Sequence, residues 1–384
     1  MKKIIIVFLS LFFIGCTKDN STEQSLYTYS PVRFINNEGK YGLFNPDTKE
    51  VIVYPRYTYI EDFSNGYALG ILGEEGGTCE VIDTFGNILF SYKTEPLSYT
   101  HCYNGFFMVV NYDVGNNVIY DQNKEYHGLY NYKGELVFKT NFIYSMNNEC
   151  IVTHKKSNYI FLFFDNNGIK RKKIQLPDTF SYKSISNEIV KYEVMYHPFS
   201  NGFARFYIWN NDKKLFGIIK NDKTVVIPPV YKSLGKEFVE GVLIAETENS
   251  LYGLLNKEGD WIILPKYEKI YNYSGKVLSV KLGNWRIVDL EENILKSLPT
   301  NLEILSDFFD NTAIFSITID GSTKYGLIDS SGNFVLNAIC EKIEPNPDNG
   351  YWQVLIDNRW MLFKAEEGII NPEEYLDFSK ITYN

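Results

Sequence analysis

The chain has 384 residues, of which 45% are hydrophobic, 22% charged and 16% aromatic, and it carries a formal charge of −9. That balance excludes a disordered chain, and the acidity excludes a nucleic-acid binder, which needs a basic face to neutralise phosphates. The 30 Tyr and 27 Phe, against 5 Trp and 5 Met, favour strands and set the expectation of an all-β protein. Length alone permits two or three ordinary domains or one large repeat architecture.

In chain order, the first element is an address. Met1-Lys2-Lys3 precedes an apolar run from Ile4 to Ile14 broken only by Ser10, and Gly15-Cys16 follows. A basic start, a short apolar core and a small residue before the cut describe a secretory signal over residues 1–15. The run is shorter than the roughly 20 residues a bilayer span requires. Gly15-Cys16 resembles the lipobox of bacterial lipoproteins, with Phe13 where that family usually carries Leu. The resemblance implies that Cys16 is lipidated and becomes the first residue of the mature chain. Loss of Lys2 and Lys3 would leave a charge of −11. Residues 16–30 are polar and read as a flexible tether. In Gram-negative lipoproteins, Thr17 after the cysteine implies an outer-membrane address, and Thr17-Lys18-Asp19 loosely resembles the surface-export signal of Bacteroidetes lipoproteins. The expected location is the cell envelope, on its periplasmic or surface face.

From residue 31 onward four features recur in order. The first is an aromatic-Gly-aliphatic triplet at Tyr41-Gly42-Leu43, Phe216-Gly217-Ile218, Tyr252-Gly253-Leu254 and Tyr325-Gly326-Leu327. The second is a turn with Asn or Asp three residues before Gly, as at Asp83 to Gly86, Asn256 to Gly259 and Asp329 to Gly332. The third is an aliphatic run ending in Pro and Tyr, as in Val51 to Tyr57 and Trp261 to Tyr267. The fourth is Phe63-Ser64-Asn65-Gly66-Tyr67-Ala68, nearly repeated from Phe199 to Ala204.

The period is about 35–40 residues, which makes roughly nine units with the last incomplete. Each unit reads as four short strands, for example Tyr67–Leu72, Cys79–Asp83, Asn87–Tyr92 and a last one near Pro96 to His101. The fold expected is therefore all-β, with tandem four-stranded repeats in a propeller-like ring; an open β-repeat superhelix is the alternative. Longer intervals, near Asp113–Glu125 and Lys170–Pro198, read as insertions on one rim.

These residues resemble the WG repeat of bacterial β-repeat proteins over roughly residues 32–370. No intact Trp-Gly is present: Tyr, Phe or His stands for the Trp, while Trp285 and Trp360 are followed by Arg286 and Met361. The resemblance implies repeated β units, a cell-envelope setting and a binding role without defined chemistry.

Chemistry-bearing residues are sparse. His101, His127, His154 and His197 fall in different repeat columns and at no metal-ligand spacing. Cys79, Cys102, Cys150 and Cys340 allow three pairings, and their irregular columns favour buried thiols over disulfides. No nucleophile elbow, phosphate loop or dinucleotide fingerprint occurs, and no cofactor or metal is expected. Acidic pairs such as Glu61-Asp62, Glu74-Glu75 and Glu291-Glu292 read as solvated charge.

Two features carry sharper expectations. Lys170-Arg171-Lys172-Lys173 is the one dense basic run, either a solvated strand edge or a contact for an anionic partner. Tyr112, Tyr120, Tyr182, Tyr192 and Tyr196, in the insertions, are candidate rim aromatics that could stack on sugars or anchor a peptide. The function expected is a non-catalytic, lipid-anchored envelope protein whose body binds a protein partner. A glycan-binding surface lipoprotein is the alternative, and a carbohydrate hydrolase a remote third.

Overall fold

A computed structural model of the chain describes residues 30–376, apart from 74–76, 94–100, 104–105, 111–126, 141–142, 148, 156, 166–169, 184–188, 211, 272–276 and 346. Strands dominate, and the one helical element among the described residues is a short 3-10 turn at Pro372–Tyr375. The strands form nine antiparallel sheets, each from one continuous stretch of chain: 32–57, 59–93, 101–140, 143–177, 179–231, 233–267, 269–297, 302–340 and 342–370. Each sheet has four strands except the first, with three, and the fifth, with five.

The recurring sequence features explain the local structure. In the hairpin joining third and fourth strands, the Asp329 carboxylate accepts the N–H groups of Ser331 and Asn333 at 2.9 and 2.8 Å. Gly332, at φ +80°, then donates its own N–H to the Asp329 carbonyl. The register slips by a residue beside this turn, between Leu327 and Ile328, as a glycine bulge requires. Asp83, Asn131 and Asn256 accept the corresponding pairs of backbone N–H groups, and Asn36 accepts such a pair in the hairpin between Val32–Ile35 and Tyr41–Asn45. The Ser-Asn-Gly-aromatic feature is a second, tighter turn that leads into the second strand. Asn65 and Gly66 both take positive φ, and Ser64 and Tyr67 exchange backbone hydrogen bonds around them.

The aromatic-Gly triplet lies on the third strand, where a neighbouring backbone and ring come close. A Cβ on Gly326 would sit 2.5 Å from the Leu336 carbonyl oxygen and 2.6 Å from the Phe315 ring. Phe315 is the cross-strand partner of Gly326, so the missing side chain makes room for an aromatic of the second strand.

Nine buried apolar clusters occupy the nine junctions between neighbouring sheets. One example joins the seventh and eighth through Trp285, Ile287, Leu302, Ala313 and Phe315. The ninth cluster joins Val32, Phe34 and Phe44 of the first sheet to Tyr351, Leu362 and Ile370 of the last, so the ring closes. The protein is a β-propeller of nine sheets and not an open superhelix.

No strand is shared across that seam. Arg33 of the first sheet, 5% exposed, instead reaches Asp348 of the ninth through Nε and Nη2 at 2.5 and 2.6 Å. It also donates Nη1 to the Ile60 carbonyl of the second sheet at 2.9 Å and pairs with Asp62. Burial is the largest influence on this guanidinium and pulls its pKa down. The hydrogen bond and charge of Asp348, with Asp62, more than reverse it and leave the pKa raised.

Three expectations change. The incomplete unit is the first, which lacks an initial strand, while the last has all four. The strand expected near Pro96 to His101 lies at His101–Tyr103 and opens the third sheet, so each sheet starts one strand earlier than the repeat features suggest. The interval after Lys170 is only partly an insertion. Lys170–Pro177 is the ordinary fourth strand of its sheet, and the added element is the hairpin of Thr179–Lys183 and Ile189–Tyr196. Residues 113–125 lie outside the described residues.

Candidate functional site

The fourth strands are the exposed edges of the sheets; Ile294–Ser297 is exposed at every residue. First strands converge at the opposite edge. Segments from three consecutive sheets meet there around one cavity of about 580 Å³: Ser233–Leu234, Lys269–Tyr271, and residues 307–309 just beyond Leu302–Ile304. Arg205, from the third of the fifth sheet's five strands (Phe203–Asn210), enters the same wall.

Arg205 donates Nη1 to the Leu234 carbonyl at 2.9 Å, and its guanidinium lies 5.2 Å from the centre of the Phe216 ring. Its Nη2 is 3.2 Å from His197 Nε2. Arginine can only donate, so His197 accepts there and carries its proton on Nδ1. Burial first, then the charges of Arg205, Lys236 and Lys214, push the His197 pKa down to about 4. Arg205 Nε is buried with no hydrogen-bond partner, and burial lowers the Arg205 pKa.

Two of the three acids lining the cavity, Glu246 and Glu237, have other partners; the third is Asp307. Glu246 pairs with Lys232 at 2.7 Å, and Glu237 accepts the Ser200 hydroxyl at 2.8 Å. Burial, then the hydrogen bond to Glu246, raises Tyr252 to about 12, so its phenol stays protonated. Lys269 lies between two rings, its Nζ 4.9 Å from the centre of Tyr252 and 5.4 Å from that of Tyr271. The other face of this aromatic wall is internal, because Tyr271 stacks on Trp285 at 5.6 Å. The arrangement is an aromatic-walled recess in which Arg205, Lys236 and Lys269 share the lining with Glu237, Glu246 and Asp307. Among the described residues no cluster of His, Cys, Asp and Glu could hold a metal ion.

The residues singled out from sequence are not brought together here. Lys170, Arg171, Lys172 and Lys173 are all exposed on a fourth strand, the solvated-edge position. Arg171 is engaged by Asp165 at 2.7 Å, and Lys172 lies over the Phe163 ring. Tyr196 is a correction: it is 5% exposed and packs against Tyr159, Phe161 and Phe206, because its strand pairs directly with Phe203–Asn210. Tyr192 is half-buried against the same core, and Tyr182 lies on the Thr179–Lys183 strand. Cys79, Cys150 and Cys340 are buried, and Cys150 and Cys340 are free thiols. Cys16, Tyr112, Tyr120 and Glu74-Glu75 lie outside the described residues.

Fold and recess together define a β-propeller repeat body, a class that suggests a protein-interaction module. The WG containing repeat matches residues 41–69, 216–249, 252–284 and 325–360, so the chain carries WG repeats at four regions. No curated protein matches the sequence. Among solved structures, a eukaryotic initiation factor is similar with a TM-score of 0.57 at 10% identity, covering 89% of this chain and 95% of that one. BamB from Moraxella catarrhalis gives 0.37 at 10% identity, covering 79% and 92%. The β-propeller domain of the Trilobed protease from Pyrococcus furiosus gives 0.36 at 13%, covering 84% and 100%. At such identities the likeness concerns the fold alone.

Proposed function

We propose that this protein is a non-catalytic, lipid-anchored component of the cell envelope whose propeller docks a partner protein at the inner-edge recess. The observation carrying the docking surface is the meeting of segments from three consecutive sheets around Arg205, Lys236 and Lys269. The anchor rests on the signal-like residues 1–15 and Cys16. A protein is favoured over a surface glycan because the aromatic faces are already engaged: Tyr271 stacks on Trp285, and Lys269 lies over Tyr252. Cys16→Ser is expected to move the protein from the membrane to the soluble fraction on fractionation; retention in the membrane would count against the anchor. Photo-crosslinking from position 236 in intact cells is expected to give a discrete protein adduct. Absence of any adduct there, with adducts from the outer edges instead, would sink the recess as the docking surface.

A further inference from the structure

Arg205 and Arg33 occupy the same column of the repeat. Val32-Arg33-Phe34 and Ala204-Arg205-Phe206 lie on equivalent strands, with Phe34 opposite Gly42 and Phe206 opposite Gly217. In both, Nη1 donates to the carbonyl of the next sheet's first strand at 2.9 Å, Ile60 in one case and Leu234 in the other. Leu69, Ile244, Ile314 and Gln353 hold this column in other sheets, so the arginine is not a packing requirement of the repeat.

The two arginines differ in what answers their charge. Asp348 grips Arg33 with both carboxylate oxygens, from the tight turn of the preceding sheet. The corresponding turn before Arg205 carries Asn147, an amide. Its Nδ2 is committed to the Phe199 carbonyl, and its Oδ1 accepts from Glu149 and Cys150. What Arg205 has instead is a neutral imidazole on Nη2, a bare Nε and a cavity. Arg205 is half-buried with an unpartnered Nε, and a charge-assisted, bidentate carboxylate is the interaction that would answer it.

We propose that Arg205 is the receptor for a carboxylate supplied from outside the chain, an acidic side chain of a partner protein that enters the recess and does there what Asp348 does for Arg33. Lys236 and Lys269 surround the incoming charge, and Tyr252 and Phe309 wall its approach. This deepens the docking reading above and rests on the recess being the docking surface.

The probe is the chain's own answering turn as a free peptide, acetyl-Asp-Asn-Gly-Tyr-amide, titrated into the purified protein by calorimetry. Saturable binding is expected, weakened by about tenfold or more when Asp becomes Asn in the peptide or when Arg205→Leu is made in the protein, since a charged hydrogen bond is worth roughly 1.5–3 kcal/mol. Should Arg205→Leu fail to fold, Lys236→Ala reads the same field and is expected to weaken the peptide severalfold. Equal binding of the Asp and Asn peptides overturns the carboxylate site. Binding of succinate as tight as the peptide assigns the site to a free small acid and overturns the protein source. The two proposals separate in the crosslinking experiment. An adduct from position 236 that forms equally with and without Arg205→Leu overturns the carboxylate receptor and leaves the docking surface standing.

Discussion

At the scale of single residues, burial and nearby charges decide which groups stay ionised. His197 shows the consequence most clearly. Its folded pKa of about 4 lies below its ordinary 6.5, because burial and three nearby cations disfavour the imidazolium. Between those two values the unfolded chain binds a proton that the folded chain refuses. Stability from this residue is therefore complete above pH 6.5 and is lost as pH falls towards 4. The full shift is worth up to about 3 kcal/mol. Urea midpoints measured from pH 7 to pH 4 are expected to fall less steeply in His197→Gln than in the natural protein; parallel slopes would refute this. None of it was legible from the sequence, where His197 and Arg205 looked like unremarkable strand residues. The available signal was the matched Val-Arg-Phe and Ala-Arg-Phe triplets, which only gain meaning once the first carries its carboxylate.

At the scale of strands and turns, the repeat features act as instructions for hairpins. The turn chemistry was readable because an Asp or Asn side chain and a positive-φ glycine three residues on impose one geometry. The role of the third-strand glycine was readable only as a close approach, since its partner ring comes from a different part of the unit. Gly326→Ala would drive a methyl into the Leu336 carbonyl and the Phe315 ring, and overpacking of this kind costs about 1–3 kcal/mol. Its thermal midpoint is expected to drop, while the double variant with Phe315→Leu recovers part of the loss. An undiminished midpoint in Gly326→Ala would show that the eighth sheet can open to admit the methyl. Strand boundaries were set correctly at Tyr67–Leu72, but the start of each sheet was not. Its first strand is as short as Tyr59–Ile60, too brief to leave an alternation in the sequence.

For the whole molecule, nine near-equivalent junctions make one closed body, and eight of them join sheets consecutive in the chain. The seam alone joins the two ends, and it does so through side chains. Phe44 is fully buried there between the first and last sheets. Phe44→Ala is expected to cost about 3–5 kcal/mol. Limited proteolysis is then expected to nick the first sheet ahead of the others; uniform digestion around the ring would argue that closure contributes no local protection. The count of units could be read from the period, but closure could not, because nothing in a repeat says whether its last copy meets its first.

The seam also fixes where the chain departs from the ring. Asn349 of the ninth sheet holds the Ser30 carbonyl at 3.2 Å, so residue 30 leaves beside the junction of first and last sheets. Fourteen peptide units separate it from Cys16. A stretch of that length spans at most about 50 Å. Were Cys16 anchored in a bilayer as proposed above, that span would hold the seam within about 50 Å of the lipid surface and confine the search for a partner to a thin layer above the membrane.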